Sequence, residues 1–140
     1  MITVKNIKQE FKNGETNQIL FENVSFQIDK GDFVIITGPS GSGKSTLLKI
    51  LDGMQKPSKG EVLFLNKNIY QFNKQELENY RLKKTGFIYQ DFMLIDELNA
   101  YDNIILPSKI LGDCDKTYID IIIDLLELTP LLKKEPKVLS

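Results

Sequence analysis

Between residues 33 and 52 the chain passes from an apolar run, Phe33-Val-Ile-Ile-Thr37, through Gly38-Pro-Ser-Gly-Ser-Gly-Lys-Ser-Thr46 into an apolar-periodic stretch ending near Asp52. Strand, glycine-rich turn and helix are thus expected in immediate succession. The turn satisfies the spacing G-x-x-x-x-G-K-[ST] through Gly38, Gly43, Lys44 and Ser45. Lacking Cβ atoms, Gly38, Gly41 and Gly43 let the backbone take positive φ and present N–H groups inward, where side chains would block an anion. The helix that follows aims its unpaired N–H groups and positive dipole end at the same point. Pro39, Ser40, Ser42 and Thr46 complete the wrap. Lys44 is placed to reach β- and γ-phosphates, and the Ser45 hydroxyl to ligate Mg²⁺. The pattern predicts a site for a nucleoside triphosphate.

At 140 residues the chain is expected to form one domain. Its net charge of −1, with acids and bases interspersed, leaves no electrostatic footprint for nucleic acid or anionic lipid. Cys114 is alone, which excludes an internal disulfide and suits a reducing cytosol. No apolar run approaches the length of about eighteen residues that spans a membrane. Met1 opens onto a strand-like pattern rather than a basic and then apolar leader, so no signal peptide is expected.

Along the chain, Ile2 to Phe11 alternates as a strand, Lys12 to Asn17 reads as a turn, and a second strand is expected around Val24 to Ile28. Glu61 to Leu65 is a third strand-like run. Asn73 followed by Glu76 has the spacing of a capping box for a helix to about Leu82. Thr85-Gly-Phe-Ile-Tyr-Gln90 predicts a short strand, and Asn99 with Asp102 caps a helix to about Ser108. A last helix, near Lys116 to Leu128, carries Ile119, Ile122, Ile123 and Leu126 on one face. The order suggests a parallel core with an antiparallel strand region and a helical annex from about Asp91.

Val24-Ser-Phe-Gln-Ile28, Gly31-Asp-Phe-Val34, the phosphate loop, Pro57-Ser-Lys-Gly60 and Gly86-Phe-Ile-Tyr-Gln90 together resemble the nucleotide-binding domain of ABC transporters. Asp91-Phe-Met-Leu94, Ala100-Tyr-Asp-Asn-Ile104 and Leu106-Pro107 narrow the likeness to the exporter group of lipoprotein-releasing, macrolide and antimicrobial-peptide transporters. The resemblance implies an α/β fold: a P-loop NTPase core with an antiparallel β region over residues 1–90 and a partial helical subdomain over 91–140, incomplete at the C-terminus. It implies that Phe11 stacks on adenine, an interaction tolerant of base identity. It also implies that Gln90 contacts Mg²⁺ and the attacking water. Gln90 would open the segment that meets a membrane-spanning permease subunit. Lys44 and Gln90 are then the catalytic candidates, Ser45 and Gln90 the metal ligands, and ATP with Mg²⁺ the cofactors. The implied setting is the inner face of the cell membrane, reached through the permease, with a second nucleotide-binding domain in a head-to-tail dimer.

In this family a Pro a few residues before Leu-Ser introduces the signature Leu-Ser-Gly-Gly-Gln. Pro136 to Ser140 matches its opening, so the chain is expected to be truncated there, without Walker B, catalytic Glu or switch His; it contains no His at all. Such a chain is expected to bind Mg·ATP weakly at best and to hydrolyse it at background rate. Three other readings compete: a soluble ABC relative acting in cell division, translation or repair, a nucleotide-binding remnant, and a phosphate-loop GTPase or kinase. A GTPase needs Asn-Lys-x-Asp, and the two Asn-Lys pairs here continue as Asn68-Ile69 and Gln75-Glu76.

Overall fold

A computed structural model describes residues 1–13, 16–112 and 114–139. Gly14 and Glu15 of the expected turn, and Ser140 of the terminal Leu-Ser, lie outside the described residues. The chain divides into two units, Met1–Gly86 and Phe87–Ser140.

In the first unit, β1 (Ile2–Asn13) pairs antiparallel with β2 (Thr16–Ile28) on one side and β3 (Lys59–Phe64) on the other. A short β4 (Lys67–Asn68) closes the order β2-β1-β3-β4. Val4 and Ile7 of β1, three residues apart, both point inward because a bulge between them resets the alternation, and they join Val62 of β3 in the core. Register shifts between Val4 and Ile7 coincide with Asn6 at φ 47°. That bulge is satisfied locally: Asn6 N donates to Ser25 Oγ (2.8 Å), and the Ser25 hydroxyl donates to Asn6 Oδ1 (3.1 Å). Helix α1 (Lys44–Leu51) buries Leu47 and Ile50 in the same core, joined by Ile69 and by Tyr80 from α2 (Lys74–Lys83). The capping box forms as read. Asn73 Oδ1 accepts from Glu76 N, and Glu76 Oε2 accepts from Asn73 N, each at 2.9 Å.

Two expected strands are absent. Phe33–Thr37 and Thr85–Gln90 enter no ladder, so no parallel pair exists among the described residues. A strand is defined by hydrogen bonds to a neighbour, and no described strand runs beside either segment. The α/β class stands on the antiparallel sheet and its helices.

In the second unit, Asn99 Oδ1 accepts from Asp102 N (2.8 Å) and caps α3, which runs past the expected Ser108 to span Ala100–Leu111 with Pro107 inside it. Helix α4 spans Lys116–Leu125. Ile123 is buried as expected, but Leu126 is 59% exposed. Leu126 is the helix's C-terminal cap, and Glu127 follows at φ 55°, which turns the chain off the apolar stripe one residue early.

Candidate nucleotide-binding site

The loop from Gly38 to Gly43 has the backbone its glycines were expected to allow. Gly38, Gly41 and Gly43 stand at φ 152°, 77° and 93°. A side chain at two of them would also collide: a Cβ on Gly38 would lie 2.9 Å from Ser42 Oγ, and one on Gly43 would lie 2.6 Å from Leu20. Gly43 is the N-cap of α1 and brings no side chain to the helix end, leaving those N–H groups facing outward. No acidic residue occupies the first turn of α1, so no side-chain charge there opposes the positive dipole end that attracts anions.

Lys44 curls back over this loop. Its Nζ donates to Gly38 O at 3.0 Å and Pro39 O at 2.8 Å, which fixes an ammonium group at the mouth of the wrap. Beneath it lies a cavity of about 280 Å³ walled by Phe21, Val24, Ile36 and Leu47. Ser45 is exposed on the first turn of α1. Among the described residues no cluster of three or more His, Cys, Asp or Glu could hold a metal. The Ser45 hydroxyl is a hard oxygen donor of the kind that suits Mg²⁺.

The far end of α1 is held by two residues that sequence reasoning passed over. The Tyr70 hydroxyl lies 2.5 Å from both the Ile50 and Gln55 carbonyls and shares its proton between them. The Tyr80 hydroxyl donates to Leu51 O at 2.9 Å. Burial, then the nearby Asp52 carboxylate, pushes the Tyr80 phenol up to about 12. Burial raises Tyr70 as well, with Tyr80 and Asp52 adding to it. Both phenols stay neutral donors at physiological pH, and Tyr80 satisfies the Leu51 carbonyl at the helix end. Nothing in the local sequence around Tyr70 or Tyr80 marks this role, because their partners lie 15 to 29 residues away. Phe21 was missed for a similar reason, since only the hairpin's register brings it to the cavity wall.

The other site candidates are placed as follows. Phe11 stands 44% exposed on β1, outside the cavity lining, with its ring available to solvent. Gln90 belongs to the second unit, exposed at a bend after the paired rings of Phe87 and Tyr89 (4.7 Å between centroids). Asn103, within the run Ala100–Ile104, organises the segment before α3. Its Oδ1 accepts from Ile95 N (2.8 Å), and its Nδ2 donates to the carbonyls of Ile95, Leu98 and Asn99 at 3.0–3.1 Å.

The family model described as ABC transporter matches residues 21–140. An uncharacterized ABC transporter ATP-binding protein of Methanocaldococcus jannaschii is 42% identical over 118 residues, 84% of this chain and 52% of that protein. The macrolide export ATP-binding/permease protein MacB of Campylobacter fetus is 41% identical over 112 residues, 80% of this chain and 18% of its own. The methionine import ATP-binding protein MetN of Francisella tularensis is 34% identical over 134 residues, 96% of this chain and 38% of its own. Among solved structures, a dimeric ATP-binding cassette in a post-hydrolysis state with ADP and Pi superposes with a TM-score of 0.88 at 33% identity, covering all of this chain and 63% of that one. The chain thus spans about half the length of the first of these relatives, and less of the other two.

Proposed function

The chain belongs to the ABC transporter family, and from that membership we propose that it forms the phosphate-binding part of an ATP-driven exporter. The observation that carries the reading is the glycine loop with the Lys44 ammonium fixed at its mouth, on the N-terminus of an anchored helix. In this reading Lys44 exchanges its two carbonyl partners for β- and γ-phosphate oxygens, and Ser45 turns its hydroxyl to Mg²⁺. When bound, Mg²⁺ neutralises charge on the β- and γ-oxygens. Phe11 offers a face to adenine, and Gln90 orients the attacking water.

The export direction is supported by the macrolide exporter among the relatives, 41% identical, and by the run from Gln90 to Pro107; the methionine importer, 34% identical, matches over 134 residues. A permease subunit is supported by the exposure of Phe92 (81%) and Met93 (67%) just after Gln90. No described helix is long enough and apolar enough to cross a membrane, so attachment to the inner face of the membrane would run through that subunit. A second nucleotide-binding domain, arranged head to tail, is supported by the dimeric cassette. A polypeptide of these 140 residues supplies Lys44, Ser45 and Gln90 but no Walker B carboxylate, catalytic Glu or switch His. It binds Mg·ATP and turns it over at background rate.

Titration with a fluorescent ATP analogue and Mg²⁺ tests this. Saturable binding is expected, weakened roughly 30- to 100-fold by Lys44→Ala, as loss of about 2–3 kcal/mol of charge-assisted bonding requires. Binding indifferent to Lys44 would overturn the reading. Steady-state hydrolysis by the 140-residue polypeptide, abolished by that same change, would overturn its catalytic part.

A further inference from the structure

A second concavity shares no lining residue with the pocket at the phosphate loop. Phe64, Phe72 and Tyr80 form its floor, with Phe64 and Tyr80 edge to face at 5.2 Å and Phe72 and Tyr80 at 6.3 Å. The groove has a volume of about 340 Å³, at the lower end of the range of roughly 300–1,000 Å³ for small-molecule sites.

Its rim is cationic. Lys67, Lys83 and Lys84 stand around the aromatic floor, all exposed, with Glu76 the only acidic residue in the lining. Glu76 is already committed, since its carboxylate caps Asn73 N. No ion pair among the described residues takes up any of the three ammonium groups.

The lip is strained. Leu65 and Asn66 turn β3 into β4 at φ 48° and 64°. Such a turn favours Asn-Gly, and a leucine in the left-handed region costs about 1–2 kcal/mol. That leucine is nevertheless 60% exposed beside the groove, where it makes no contribution to the core. Strain kept at an exposed apolar residue points to a contact outside the chain.

We propose that this groove binds a small amphiphilic anion: an aryl or short alkyl group lying on Phe64, Phe72 and Tyr80 under Leu65, with a carboxylate held by Lys67, Lys83 and Lys84. The apolar floor supplies burial, and the three ammonium groups against one carboxylate set the sign of the charge. The small volume limits the tail to about one ring and a short chain.

The test uses 4-phenylbutyrate as probe and the neutral 4-phenylbutanamide as its control, followed by amide chemical shifts of the isotopically labelled full chain. The acid is expected to bind saturably, to shift resonances of residues 64–84, and to bind about tenfold more tightly than the amide at low salt. The double change Lys83→Glu and Lys84→Glu, at exposed positions, is expected to remove that advantage while leaving the amide's weaker binding intact. Equal binding of acid and amide would reduce the site to a nonspecific apolar crevice and overturn the proposal. Absence of saturation, or shifts centred elsewhere on the molecule, would also overturn it.

Discussion

The ladder of β1 with β3 and the unpaired segment Phe33–Thr37 are built from the same kinds of residue, yet they end in opposite states. Val4, Ile7 and Val62 are 1%, 0% and 0% exposed; Phe33, Ile35 and, on the similar segment before Gln90, Ile88 are 89%, 71% and 97% exposed. Apolar and β-branched composition is shared, so it cannot be what separates them. What differs is the neighbour. β1 has a hydrogen-bonding strand on each side, whereas Phe33–Thr37 has only the core beneath it, against which Ile36 packs. The phosphate loop nevertheless takes a defined shape, because α1 is anchored through Leu47 and Ile50 and held at its far end by Tyr70 and Tyr80. The loop is therefore positioned from its helix side.

The largest effect that would sharpen this contrast is Ile7→Ala. At a position with no exposure, it is expected to cost about 2–5 kcal/mol in chemical denaturation, through lost burial and the cavity left behind. Ile35→Ala, chemically the same change, is expected to cost less than about 0.5 kcal/mol. Equal costs would mean that the exposed segment is structurally engaged after all.

Next in size is Tyr80→Phe, which leaves Leu51 O without its donor and is expected to cost about 1–2 kcal/mol at neutral pH. It carries a pH signature as well. The phenol's pKa rises from 10.0 to about 12 on folding, so the native state holds its proton more tightly than the unfolded chain. That contribution is complete below pH 10 and is lost as pH climbs through about 12. Denaturation curves across this window should slope less steeply in Tyr80→Phe. An unchanged slope would remove Tyr80 from the anchoring of α1. Smaller again is Asn73→Ala, expected to cost about 1 kcal/mol by opening the capping box of α2.

This ordering follows what the sequence made legible. The phosphate loop and the caps at Asn73 and Asn99 are short-range devices, with partners within a few residues, and spacing alone discloses them. The sheet is different. β2 begins at Thr16, well before the expected start near Val24, because Asn17, Gln18 and Glu22 are polar and only pairing with β1 makes their segment a strand. The walls of Phe21 and the anchors Tyr70 and Tyr80 depend on the same long-range register. Phe33–Thr37 and Thr85–Gln90 fail in the reverse direction: their composition suits a strand, but no ladder joins them here. For the site, the wrap, Lys44 and Ser45 were readable, while what holds α1 in place was not.

The smallest expected effect bears hardest on the comparison. In a polypeptide of these 140 residues, Ile88→Lys should change stability by no more than about 0.5 kcal/mol, because a side chain 97% exposed loses no burial. Its self-association should fall, since an unpaired apolar segment is a template for another chain and a charge at its centre blunts that pairing. Sedimentation velocity beside chemical denaturation separates the two readouts. The same change in a longer protein, where a further strand lay alongside, would bury the ammonium group in the sheet and cost well over 1 kcal/mol. One substitution in two lengths of chain then measures the worth of a neighbouring strand, with composition held constant. A large cost in the 140-residue polypeptide itself would show that Ile88 already has a partner, and that strand pairing is not what distinguishes the two regions.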